Sequence, residues 1–252
     1  MQSGNPALNK NTFLDSASGA LVSRYGEETM SINGTVNKTG LLLLLVLIGA
    51  MFSWSQFTGP GSLPAMMPFV LGGAIGGLVL GLVTSFKKTW APVTAPLYAL
   101  AEGVFIGALS AIFELRYPGI VIQAVGLTFG TMAALLLAYR SGLIRATEKL
   151  KLGIVAATGG IMLLYLANFA MSFFGHSIGF INGNSTISIV FSGVVVVVAA
   201  LNLILDFDMI EQGVNGGAPK YMEWYGAFAL VVTLVWLYLE ILRLLSKIQS
   251  RN

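Results

Sequence analysis

The 252-residue sequence contains no cysteine. Disulfides, thiolate metal sites, iron–sulfur clusters and cysteine nucleophiles are therefore excluded. Its single histidine, His176, rules out histidine-rich zinc motifs. Charge is scarce too: Asp, Glu, Lys and Arg make up 10% of the chain, against about 25% in soluble domains. So few polar side chains cannot cover a water-soluble globule of this size, which excludes an ordinary soluble enzyme, a disordered chain and a small secreted domain. No phosphate-binding glycine loop occurs, which argues against ATP-driven pumping.

What the chain has is apolar length. Hydrophobic residues make up 56%, glycine adds 30 residues, and the mean hydropathy is +0.80. A helix needs about 20 mostly apolar residues to cross a bilayer. Runs bounded by charge, glycine or proline predict seven spans, at 40–57, 66–86, 93–113, 119–139, 152–174, 187–207 and 224–246. The first is short and is expected to borrow Val36 to Thr39. Leu41 to Ile48 and Val194 to Leu201 are continuously apolar, unlike the alternating strands of a barrel. The expected fold is all-α, a polytopic bundle of seven transmembrane helices over residues 40–248. A cytoplasmic N-terminal tail, 1–39, and a short C-terminal tail, 249–252, flank it. The N-terminal tail has no apolar core of signal-peptide length, so cleavage is not expected. Its scattered Phe13, Leu14, Leu21 and Val22 leave open a short surface helix or a mobile tail.

Ten of the 14 basic residues fall on one side of such a bundle, from Lys10 in the tail to Lys220 before the last helix. Arg116, Arg243, Lys247 and Arg251 fall on the other. The positive-inside rule then predicts a cytoplasmic N-terminus, with the basic C-terminal end as the discordant feature. The net charge of +3 reflects these flanks. No basic stripe exists outside the loop at 140–151, so nucleic acid is not an expected partner. Trp54, Trp90 and Trp224 sit near span ends, as interface anchors do. Gly73, Gly77 and Gly81 share a face of the second helix, beside Gly72 and Gly76. Gly103 with Gly107, and Gly126 with Gly130, repeat the four-residue spacing. Small residues at this spacing let backbones approach closely in lipid, and contacts within the chain are the expected use.

Acids inside the spans are the candidate functional residues. Glu102 lies mid-way along the third helix, Asp206 and Asp208 at the end of the sixth, and Glu240 in the last third of the seventh. A charge at the bilayer centre costs at least about 2.5–3.5 kcal/mol. A carboxyl there takes a proton, binds a cation or faces water. No Lys or Arg sits at mid-span beside Glu102, a pattern that suits protons or metal cations better than anions. The alternative for Glu102 is a structural hydrogen bond, for example to Asn168 or Gln123. Asp206 and Asp208 point about 200° apart on a helix, so one is expected to face the bundle and the other its boundary. Asn202 shares a face with Asp206, and Lys87, Lys88 and Arg140 are candidate charge partners for the pair. Glu240 reads as a structural ion pair with Arg243, in line with Lys247. A lone loop histidine such as His176 is usually only solvated.

Four segments together resemble the bacterial branch of the Bax inhibitor/YccA family, from about residue 5 to 248. They are Met30-Ser-Ile-Asn-Gly-Thr-Val-Asn-Lys-Thr-Gly40, Leu97-Tyr-Ala-Leu-Ala-Glu-Gly-Val-Phe-Ile-Gly107, Leu205-Asp-Phe-Asp-Met-Ile-Glu-Gln-Gly213 with Gly217-Ala-Pro-Lys-Tyr-Met-Glu-Trp-Tyr225, and Leu234-Val-Trp-Leu-Tyr-Leu-Glu-Ile-Leu-Arg243. The resemblance implies a seven-helix bundle in the bacterial inner membrane and a passive, pH-sensitive calcium leak. It also implies a switch in which an aspartate of the sixth helix pairs with one of the seventh. Phe207-Asp208 matches the first position, and Thr233 stands where the second aspartate is expected. The two-aspartate switch is therefore not carried over intact. Asp206 with Asp208 is a candidate substitute, and a tentative calcium site, although calcium usually takes six to eight oxygens. Calcium is expected as the transported ion, with no resident cofactor and no enzymatic activity. The alternative is a non-conducting modulator of a membrane protease. An intramembrane aspartyl protease ranks below both, because its two aspartates must come from facing helices.

Overall fold

The computed structural model describes residues 29–251 apart from Ser177. The scattered apolar residues Phe13 to Val22 lie outside the described residues. Seven long helices occupy the seven predicted spans: α1 (Ile32–Ser55), α2 (Leu63–Phe86), α3 (Ala91–Arg116), α4 (Ile120–Arg140), α5 (Glu148–Ser172), α6 (Thr186–Asn215) and α7 (Met222–Gln249). Each is long and apolar enough to cross a membrane. A single helical turn, Gly179–Asn182, lies between α5 and α6. The only β pairing among the described residues is an isolated bridge between Thr29 and Pro219.

The last helix is the axis of the bundle. One side of α7 packs Leu230, Leu234, Leu237 and Ile241 against Ala124 of α4 and Ala199, Leu203 and Phe207 of α6. Its other side packs Ala227, Phe228, Val231 and Val235 against Leu42 of α1 and Ala95 and Ala99 of α3. A hydrogen bond of 2.6 Å between Ser110 and Tyr238 ties α3 to the same axis. By contrast, α2 rests on α3, and α5 on α6.

Glycine sets the closest approaches. A Cβ on Gly103 or Gly107 of α3 would run into the backbone of Val46 or Ala50 in α1. A Cβ on Gly49 would meet the Leu100 carbonyl, and one on Gly73 would meet the α3 backbone at Ala101 and Phe105. Gly77 leaves room for the Glu102 side chain. The expectation that all the spaced glycines serve contacts within the chain fails for α4. Nothing lies within 4 Å of a Cβ on Gly126 or Gly130, because that face of α4 points out of the bundle.

Two helices, α1 and α6, each run eight residues beyond a predicted end, for a common reason. Hydropathy falls where the hydrocarbon stops, but a helix continues until its hydrogen bonds are capped or broken. The first begins at Ile32 rather than near residue 40, because the Ser31 hydroxyl caps it by accepting from Gly34 N at 3.0 Å. Thr35 and Thr39 are buried in its polar first turns. The sixth continues eight residues past Phe207 to Asn215. Asp206 and Asp208 therefore sit inside a helix and not at its end.

Replacing Gly103 by Val is expected to destabilise the bundle by about 1–3 kcal/mol through overpacking. Gly126→Val is expected to be near neutral. Unfolding in mixed detergent, followed by circular dichroism, distinguishes the two.

Candidate functional site

Asp206 is the aspartate that faces the bundle. It sits mid-α6, with the Thr233 hydroxyl of α7 within hydrogen-bonding reach. Its Oδ2 is shielded from solvent and has no hydrogen-bond partner. Asn202, one turn earlier, donates to Thr158 Oγ1 of α5 and to the Val198 carbonyl, each at 2.8 Å. Asp206 thus faces α7, one helical turn along α6 from the Asn202 contact with α5.

Asp208 faces elsewhere. Its carboxylate pairs with Lys151 of α5 at 2.7 Å and accepts from Gln212 at 2.5 Å. The two aspartates are not brought together. The uninterrupted α6 separates them by about 200°, as two residues of helix must. Among the described residues no group of three His, Cys, Asp or Glu side chains is placed to hold a metal. Asp206 and Asp208, the two acids expected to share a calcium site, face different partners, Thr233 and Lys151. The expected charge partners also differ. Lys87 lies over the Trp90 ring at 4.3 Å and Lys88 over Tyr225 at 5.2 Å, while Arg140 is exposed at the end of α4. The cation found on Asp208 is Lys151 instead. Of the two aspartates, it is Asp206 that lies beside Thr233 of α7.

Glu102 belongs to a different contact. Its carboxyl packs over Gly77 of α2 and lies within hydrogen-bonding reach of Tyr98. It is held at the α2–α3 interface rather than beside Asp206. Asn168 is not its partner, since that amide accepts from Ile178 N at 2.9 Å and from Asn182. Glu240 pairs with Arg243 at 3.2 Å, and the Tyr165 hydroxyl of α5 donates to it at 3.0 Å. Lys247 does not join that pair. Its buried ammonium donates to the Ile181 carbonyl at 2.7 Å and to Ser192 Oγ at 2.8 Å, closing the turn before α6.

Sequence reading missed Glu223. Its carboxylate is fully buried at the start of α1, which comes from the other end of the chain. It accepts from Ser31 N and Ser31 Oγ, each at 2.9 Å, and pairs with Lys38 and, at 3.7 Å, with Lys220. An anion at a helix N-terminus satisfies free N–H groups and opposes the positive end of the dipole. Gly34 leaves room for it, because a Cβ there would overlap the Glu223 carboxylate unless that side chain shifted. Both partners lie in segments that carry the family resemblance, but nothing local in either points to a partner 192 positions away.

A family model described as Bax inhibitor 1 like matches residues 5–250. No curated protein matches the chain, and no solved structure does.

Removing Glu223 strands Lys38 and leaves Ser31 N without its acceptor. Glu223→Ala is expected to cost about 3 kcal/mol, as breaking one partner of a buried ion pair does. Lys38→Met on top of Glu223→Ala is expected to recover part of that loss. Unfolding titrations of both variants check it.

Proposed function

The chain belongs to the Bax inhibitor 1 like family, and from that premise we propose that it is a passive, pH-sensitive cation leak. Calcium is its cargo and the bacterial inner membrane its location. The N-terminus lies in the cytoplasm, because the end of the bundle where α1 begins holds most of the basic residues, Lys87, Lys88, Arg145 and Lys149 among them.

The observation that carries this reading is Asp206. A carboxyl inside a spanning bundle, with one oxygen shielded and unpartnered, is costly to keep unless it works. With a threonine as its neighbour, it holds a proton or exchanges it for a cation. Proton–cation exchange at one buried group gives both conduction and sensitivity to pH. Asp206 therefore takes the central role, with Thr233 in place of a second acid. Asp208 and Lys151 act at the cytoplasmic end of the same helix pair. Glu102, across the bundle at the α2 contact, tunes helix packing.

The test is calcium entry into liposomes holding purified protein, compared at about pH 6 and about pH 8, since burial strengthens a carboxyl's hold on its proton. Wild type is expected to leak at rates that differ between the two. Asp206→Asn, fixed in the neutral form, is expected to lose that difference, whereas Asp208→Asn is expected to keep it. Folded wild-type protein that leaks no faster than empty liposomes at both values refutes the proposal.

The second reading, a non-conducting modulator of a membrane protease, draws on the outward glycine face of α4, where Gly126 and Gly130 meet nothing in the chain. A truncation ending at residue 28 is the proper probe of the tail, since Met30 is buried and its N–H bonds Ala218 O at 2.7 Å. Under the leak reading that truncation is expected to leave ion flux intact.

A further inference from the structure

The attachment of α5 differs in kind from that of the other helices. It buries only Ile154 and Ile161. None of its glycines, Gly153, Gly159 and Gly160, meets a neighbour within 4 Å of a Cβ, so no close backbone contact holds it. What holds it is a seam with a seven-residue repeat. Ile154 and Ile161 take one position of each repeat. Lys151, Thr158 and Tyr165 take the other, and each bonds across the seam. Lys151 pairs with Asp208 at 2.7 Å, Thr158 accepts from Asn202 at 2.8 Å, and Tyr165 donates to Glu240 at 3.0 Å.

Seven residues of helix rise about 10 Å, so the three rungs cover about 21 Å of a hydrocarbon layer about 30 Å thick. The seam is thus a polar line across most of the bilayer, bordered by α5 on one side and by α6 and α7 on the other. Polar side chains between membrane helices act either as glue or as the lining of a path. Glue satisfies its own atoms. Here the middle rung has an unsatisfied neighbour. Asp206 lies one turn from Asn202, about 40° around α6, and its shielded Oδ2 has no partner.

We propose that α5 is a movable wall, and that its separation from α6 opens this polar seam as the route by which the cation reaches Asp206. The inference rests on the leak reading above and names the path to the same carboxyl. Parting α5 from α6 exposes hydrogen-bonding groups to the ion and to water while disturbing little apolar packing. Parting α1 from α3 would break glycine-mediated backbone contacts, and parting α6 from α7 would open the hydrophobic core.

The absence of cysteine makes the test clean. Thr158→Cys and Asn202→Cys together place the only two thiols on facing sides of the middle rung. A short bifunctional methanethiosulfonate then bridges them in liposomes loaded with a calcium reporter. Bridging is expected to reduce calcium entry about tenfold or more, a modest shift of a two-state equilibrium, and reductant is expected to restore it. Entry that is unchanged after complete bridging, verified by mass spectrometry, overturns the proposal and leaves the rungs as glue. Wild type that does not leak refutes the leak reading itself and this path with it. Should the double variant not fold, spin labels at the exposed Leu163 of α5 and Leu47 of α1 give a second measurement. Two distance populations are expected under conducting conditions, and a single population overturns the proposal.

Discussion

A helix in lipid gains nothing from the hydrophobic effect by meeting another helix, because acyl chains are as apolar as leucine. Every contact in this bundle has to be made by close packing, of backbone or of side chains, or by a polar bond, and these devices are distributed unevenly. Where α1 and α2 meet α3, glycine brings backbone against backbone. Where α7 meets its neighbours, large side chains interlock and a few hydrogen bonds, such as Ser110 with Tyr238, set the register. The periphery follows from this. α2 is pinned by glycine contacts and by the 2.7 Å bond from Thr84 to Thr94, whereas α5 has neither a glycine contact nor a large apolar face.

The same constraint explains why most of the acids are quiet. Glu223 has Lys38 and the amide of Ser31. Glu114 accepts from Gly119 N at 2.6 Å and from Val121 N at 3.1 Å, capping α4. Glu240 has Arg243 and Tyr165, and Asp208 has Lys151. In each case a cation or a set of N–H or O–H donors removes the cost of the charge. Asp206 alone among these five keeps a shielded oxygen without a partner. Departures from local satisfaction of this kind collect at functional positions.

The seven spans and the packing faces of α2 and α3 were readable in the sequence, because apolar length and four-residue glycine spacing are local properties. The helix ends were not. Ile32 to Thr39 and Asp208 to Asn215 are too polar to register as span, yet a cap and tertiary contacts keep them helical. The helical angle between Asp206 and Asp208 was legible, but which of them faces inward was not, since that depends on where α5 and α7 lie. Gly126 and Gly130 carry the same spacing as Gly103 and Gly107 and point the other way. Spacing records a small face and not its partner. The joining of Lys38 to Glu223, 185 positions apart, leaves no local trace.

That joining bears on how the protein is made. Chains enter the membrane as they are synthesised, beginning at the N-terminus. Here α1 has its opening turn completed by a carboxylate at the start of α7, the later-made helix around which the others stand. The contacts of α1 and α2 with α3 need no part of α7, whereas the start of α1 and both sides of the core wait for it. Arrival of α7 then seals the start of α1 and fills the core. Assembly of this bundle thus has a late step for which its local glycine contacts cannot substitute.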